Sequence, residues 1–159
     1  MSQLSRIILS AVFGCVLVIF SVRTEASLRQ PMNVEEHQHG AETSTRTVID
    51  RFNNAFNRHD ADVLATLLTD DTVFEDTSPA PDGRRIQGKA AVVAFWRQWF
   101  ERNPDAQFEA EEIIVTEDRA VVRWVYRKVR NGQAWHLRGV DIFKVRDGKV
   151  AAKLAYVKG

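Results

Sequence analysis

The sequence predicts an α+β domain in which a curved antiparallel sheet wraps conically around three helices that lead the fold. Three observations carry this. Apolar residues in the first half of the chain recur at helical spacing, whereas those after residue 106 alternate with period two. The alternating half is divided by short turn signals, among them Asn131-Gly132, into long segments suited to a meander. Helical segments followed by a run of strands give an α+β layering, with the helices covering one face of the sheet.

The first thirty residues stand apart from that domain. A head carrying Arg6 precedes the 14-residue apolar run Ile7–Phe20, and Thr24 and Ala26 place small residues before Ser27. This is the order of a secretory signal peptide, expected over 1–26. A spanning helix needs about 20 apolar residues. The run is short for that, so export with cleavage is the expectation, and an uncleaved N-terminal membrane anchor is the alternative. Cys15, the one cysteine, lies inside the run, so the cleaved chain is held by its apolar core and not by disulfides.

Cleavage also removes Arg6, Arg23 and Glu25, which leaves equal numbers of basic and acidic residues. A balanced charge gives no footprint for nucleic acid or for stable association with an anionic membrane. The short cluster Arg127, Lys128 and Arg130 reads as a protected strand edge. Residues 27–44 are polar and read as a flexible tether. Its His37 and His39 are two imidazoles without the converging ligands that a metal site requires, so no metal is expected. The folded domain is expected over 45–159.

Val48, Phe52, Ala55 and Phe56 share one face of the first helix. Asp60 suits an N-cap for a short second helix that buries Val63, Leu64, Leu67 and Leu68. A strand over Thr72–Asp76 follows, and then a Pro- and Gly-rich stretch, 78–88, reads as an irregular loop. A third helix over Lys89–Arg102 presents Val92, Phe95, Trp96, Trp99 and Phe100. Strands are expected at 107–116, 119–130, 133–146 and 149–157. No nucleotide, flavin or metal motif is present, so no cofactor is expected.

Two carboxylates fall on apolar registers. In the strand through Trp135–Val145, Asp141 shares its face with Trp135, Leu137, Gly139, Phe143 and Val145. Asp76 likewise shares a face with Thr72 and Phe74. Burying an ionised carboxylate costs several kcal/mol unless a partner is supplied. Two acids in one pocket, in unlike surroundings, form a plausible acid/base pair. The structural alternatives are a salt bridge from Asp141 to Arg123 or Arg138, and backbone capping by Asp76 at the start of its loop.

The segments "RFNNAFNRHDADVLATLLTDD", "VFEDT", "GRRIQGKAAVVAFW" and "RGVDIFKVRDGKVAAKLAYVKG" together resemble the SnoaL-like and ketosteroid isomerase-like members of the nuclear transport factor 2-like superfamily. The resemblance implies a cone-shaped pocket and a homodimer formed through the sheet. It implies a catalytic base at Asp76, and an oxyanion-hole acid or acid/base residue at Asp141. It departs at Phe52, where isomerases carry a tyrosine, and at Thr77, where they carry a proline. His136, the nearest match to a cyclase pocket histidine, has the opposite strand parity, and His59 reads as structural.

The resulting expectation is an exported, cofactor-independent isomerase, cyclase or dehydratase. Its substrate would be a small, mainly apolar molecule bearing a carbonyl. Asp76 would remove a proton and Asp141 would serve the oxygen. Phe52, Phe56, Trp96, Trp124, Trp135 and Tyr156 are the candidates to line the cavity. The alternatives are a non-catalytic binding module for a small apolar ligand and a dimeric scaffold.

Overall fold

The computed structural model describes residues 34–158. The expected signal peptide, Cys15 and the first part of the expected tether lie outside them. Nine elements follow in order: α1 (Val34–Asn57), α2 (Ala61–Thr66), β1 (Leu68–Glu75), β2 (Arg85–Gln87), α3 (Lys89–Arg102), β3 (Gln107–Thr116), β4 (Arg119–Arg130), β5 (Gln133–Arg146) and β6 (Lys149–Val157). The six strands form one sheet in the order β2-β1-β6-β5-β4-β3. The sheet is mixed: all neighbours are antiparallel except β1 and β6, which run parallel.

Helix α1 begins at Val34, so the tether expected over 27–44 is corrected from that residue onward. Val48, Ile49, Phe52 and Ala55 are buried along its apolar face. Asp60 caps α2, its carboxylate accepting from the Val63 amide at 2.9 Å. The chain turns extended at Leu68, which opens β1 and does not continue the helix.

The turns explain the long strands. Asn131 and Gly132 both have positive φ (51° and 75°), as do Asp147 and Gly148 (53° and 68°). Two consecutive left-handed residues are what a two-residue hairpin loop demands, and they match the twist of the strands they join. β2 is the one strand the sequence did not show. Its three residues pair with β1 through Val73, Phe74 and Glu75, inside a stretch dominated by Pro and Gly. Of the basic cluster, Arg127 lies inside the sheet, because β3 pairs with β4 as far as that residue, while Lys128 and Arg130 run on past the end of β3. Arg127 instead pairs with Glu109 across to β3.

The core lies between the helices and one face of the sheet. Phe52 meets Trp96 and Phe143 edge-on, with ring centroids 5.5 and 5.3 Å away. Edge-to-face pairs of this kind add about 0.5–1.5 kcal/mol each beyond the area they bury. His59 stacks on Phe100 at 4.7 Å and hydrogen-bonds the Ala106 carbonyl at 3.1 Å. It joins the turn after α1 to the end of α3, the structural role expected of it.

Candidate functional site

Asp141 faces the core from the middle of β5, as strand parity requires, and is 6% exposed. Neither arginine weighed as its partner reaches it. Arg123 and Arg138 lie on the opposite face and pair with Glu111, and Arg123 also pairs with Glu112. The hydrogen bond from Arg138 is the main reason that Glu111 sits below the usual carboxylate range. The partner of Asp141 is Lys153, whose Nζ lies 2.8 Å from Oδ2. Lys153 is itself 9% exposed.

A bulge puts Lys153 there. Val145 on β5 pairs with Val150, whereas Phe143, two residues back, pairs with Lys153, three residues on. The extra residue in β6 moves its inward set from even to odd positions. Lys153 then turns inward, with its ammonium over the rings of Phe74 (5.2 Å) and Phe143 (5.7 Å). Cation–π contacts of this kind are strongest where water is excluded. The same shift turns Tyr156 outward, where it is 48% exposed and borders a groove with Glu111, Arg123 and Arg138. The expectation that Tyr156 lines the cavity is corrected.

Two adjoining chambers meet at the ion pair. The larger, of about 120 Å³, is bounded by Phe74, Asp76, Trp96, Trp99, Tyr126 and Leu137 among others. The smaller, of about 30 Å³, adds Phe52, Asn53, Ala110 and Val122. Phe56, Phe108, Trp124, Asp141 and Lys153 line both. Trp135 lines neither chamber. It packs on Tyr126 at 5.9 Å near the exposed end of the β4–β5 hairpin, where Val129 is 59% exposed, and borders a shallow groove there. That placement is the second correction to the expected lining.

Asp76 does share the larger chamber with Asp141, but at its rim, because it also borders a surface groove with Asp82 and Arg85. Both its oxygens are engaged. Oδ2 takes a hydrogen bond from Arg84 at 3.0 Å, and Oδ1 takes one from the Thr77 amide at 2.8 Å. The returning loop crowds the Asp76 carbonyl so closely that a Cβ on Gly83 would lie 1.7 Å from it. Glycine is also the residue that tolerates the local φ of +74°.

The polar atoms that point into the chambers are unevenly satisfied. Asp141 Oδ1, Asn53 Nδ2, Trp96 Nε1 and Trp124 Nε1 are all buried without a hydrogen-bond partner. Buried polar groups in folded proteins are nearly always paired, so orphans on residues that line a cavity call for a partner there, such as water or a ligand. Lys153 and Asn53 were not among the residues picked from the sequence. Asn53 follows Ile49 by four residues, at the margin of the apolar stripe of α1, and that was its only signal. No group of three or more His, Cys, Asp or Glu side chains converges among the described residues.

Tyr126 supplies a check on how dry the larger chamber is. Its phenol is pushed up to about 12, first by burial and then by the charge of Asp105. A raised phenol favours the folded state below the unfolded value, near 10. That contribution is lost as pH rises from there toward 12. A spectrophotometric titration should show a late phenolate phase that Tyr126→Phe removes. Its persistence in that variant would place the phase elsewhere.

A family profile described as the SnoaL-like domain matches residues 49–153. Among solved structures, a nuclear transport factor 2-like protein of unknown function from Mesorhizobium loti is 36% identical. That match covers 74% of this chain and 93% of that one, with a TM-score of 0.66. A provisionally assigned SnoaL-like polyketide cyclase from a Jannaschia species is 19% identical over 74% and 88% of the two chains, with a TM-score of 0.65. A provisionally assigned ketosteroid isomerase from Kribbella flavida is 20% identical over 74% and 80%, with a TM-score of 0.62. These last two likenesses concern the fold. No curated protein sequence matches. With a profile match spanning β1 through β6 and a relative at this identity, the chain belongs to the SnoaL-like domain family and has the nuclear transport factor 2-like fold.

Proposed function

We propose that the domain is a cofactor-independent proton-transfer enzyme acting on a small, mainly apolar molecule that bears a carbonyl. The single observation that supports this reading most is the state of Asp141. One carboxylate oxygen is held by Lys153 at 2.8 Å, and the other has no partner and faces an aromatic cavity. A fixed carboxylate with a free oxygen is suited to accept a proton from carbon. The Lys153 ammonium has three donors and spends one on Asp141. The others, with the indole N–H of Trp124, are suited to the oxygen on which charge develops when that proton leaves.

In this reading the roles implied by resemblance are redistributed. Asp141 is the base and Lys153 serves the oxygen, while Asp76 and Arg84 form the polar rim through which substrate enters. Aromatic walls exclude water, which strengthens every electrostatic interaction inside. Export belongs to the same proposal, and so does pairing through the outer sheet face, where Ile114 and Tyr156 are about half exposed.

Proton transfer at carbon is measurable before the natural substrate is known. A panel of apolar ketones and enones incubated in deuterium oxide should exchange carbon-bound protons, read by NMR. Asp141→Asn should slow that exchange by about 10²–10⁴-fold, the range of a single general base, while the protein still folds. Undiminished exchange would remove Asp141 from the mechanism. A binding module is the second reading, favoured by Phe52, which offers no hydroxyl where the resembling isomerases have one. Under it, a co-purified ligand stays chemically unchanged after long incubation.

A further inference from the structure

The smaller chamber pairs an orphaned donor with an orphaned acceptor. Asn53 Nδ2, on α1, and Asp141 Oδ1, on β5, are both buried, both lack a partner and both line it. The rest of the wall, apart from Lys153 and the indole N–H of Trp124, is apolar: Phe52, Ala110, Val122 and their neighbours. A purely apolar ligand would leave both atoms unpaired. A carbonyl would satisfy Asn53 and leave Asp141 facing another acceptor. The group that satisfies both is one that accepts from the amide and donates to the carboxylate. That is a hydroxyl, and water is the smallest molecule carrying one. A buried water needs two or more polar partners and a little room, and the chamber has about 30 Å³.

We propose that this chamber seats a reacting water, and that the enzyme adds water reversibly across the carbon–carbon double bond of an α,β-unsaturated carbonyl compound. The inference rests on the reading of Asp141 as the base. The water oxygen bonds to the β-carbon as its proton passes to Asp141 Oδ1. The double-bond pair moves toward the carbonyl, and the resulting enolate oxygen is held by Lys153. The α-carbon then takes the proton back from Asp141, which regenerates the carboxylate. The product is the β-hydroxy carbonyl compound, and the reverse sequence is a dehydration. Both directions balance without any co-reactant. The aromatic larger chamber holds the apolar body of the substrate, while the smaller one presents water to it from the side of α1. Asn53 thereby selects water as the nucleophile.

The test uses 2-cyclohexenone and 4-phenyl-3-buten-2-one as probes, in water enriched in ¹⁸O and deuterium, with the full folded domain. The expected product carries one ¹⁸O at the β-hydroxyl and one deuterium at the α-carbon. In Asn53→Leu the ratio of ¹⁸O incorporation to carbon-bound exchange should fall at least about tenfold, because one of the two polar partners of the water is gone. Should that variant not fold, Asn53→Ala removes the same amide without adding bulk. Exchange without ¹⁸O would overturn water addition and leave the proton-transfer reading standing. Incorporation with an unchanged ratio in the Asn53 variants would overturn the placement of the water. Absence of both signals on these probes would overturn the two readings together.

Discussion

Lys153→Met should destabilise the domain by about 3–5 kcal/mol, the cost of leaving one member of a buried ion pair without its partner. The side chains of Lys153 and Asp141 are 11% and 8% exposed, so little solvent is available to take over the role of the ammonium. Methionine nearly matches the lysine stem in volume, and the lost charge, not a cavity, should dominate. Global stabilities of domains this size are about 5–15 kcal/mol, so the loss is a large fraction of the whole. The companion variant Asp141→Asn/Lys153→Met removes both charges and should recover most of it, because replacing a buried pair by neutral groups is often close to neutral. Urea midpoints of the single and double variants provide the measurement. A single variant within about 1 kcal/mol of the parent would mean that Asp141 is not held as a buried ion, and the role of Lys153 would fall with it.

Gly139→Ala should be nearly as damaging, for steric reasons. A Cβ built at Gly139 lies 2.2 Å from the Tyr156 carbonyl oxygen and 2.4 and 2.5 Å from two ring carbons of Trp124. The carbonyl belongs to β6, which pairs with β5 at this point, so it cannot retreat without opening the ladder. The indole lines both chambers, so moving it reshapes the site. Overpacking of this kind costs about 1–3 kcal/mol, and more where backbone must shift. Fluorescence should report the displacement of Trp124, and the difference from the parent should vanish in a Trp124→Phe background. An alanine variant with unchanged stability and emission would show that the strand pair can open there at no cost.

Much of this architecture was legible in the residues, for reasons that differ by element. Helix α3 and the four strands β3 to β6 have the predicted bounds because each is long and is set off from its neighbours by a strong turn signal. Leu67 and Leu68 fit the apolar face of a helix equally well, so the sequence alone could not show that α2 stops at Thr66. A three-residue strand such as β2 is too short for its alternation to stand out from the surrounding loop. In the site, Asp141 was visible because a single carboxylate broke an apolar row in an unbulged strand. Lys153 was hidden because simple alternation from Val150 puts it outside with Ala151 and brings Tyr156 in. A bulge is a tertiary accommodation with no strong local signature here, since "VAAKLA" contains neither Gly nor Pro. The need of Asp141 for a cation was the one indirect clue.

The added residue in β6 acts as a counter for the polarity of the pocket. Delete either Ala151 or Ala152, and the ladder becomes regular from Val150 with the ammonium still opposite Phe143. Keep both alanines but pair them regularly, and an alanine stands opposite Phe143 while Lys153 turns to the solvent-facing side. Extrusion of one small residue from the ladder thus separates a charged reaction vessel from a greasy one. Pairing register in the final strand is therefore a chemical variable in this scaffold, as decisive as side-chain identity.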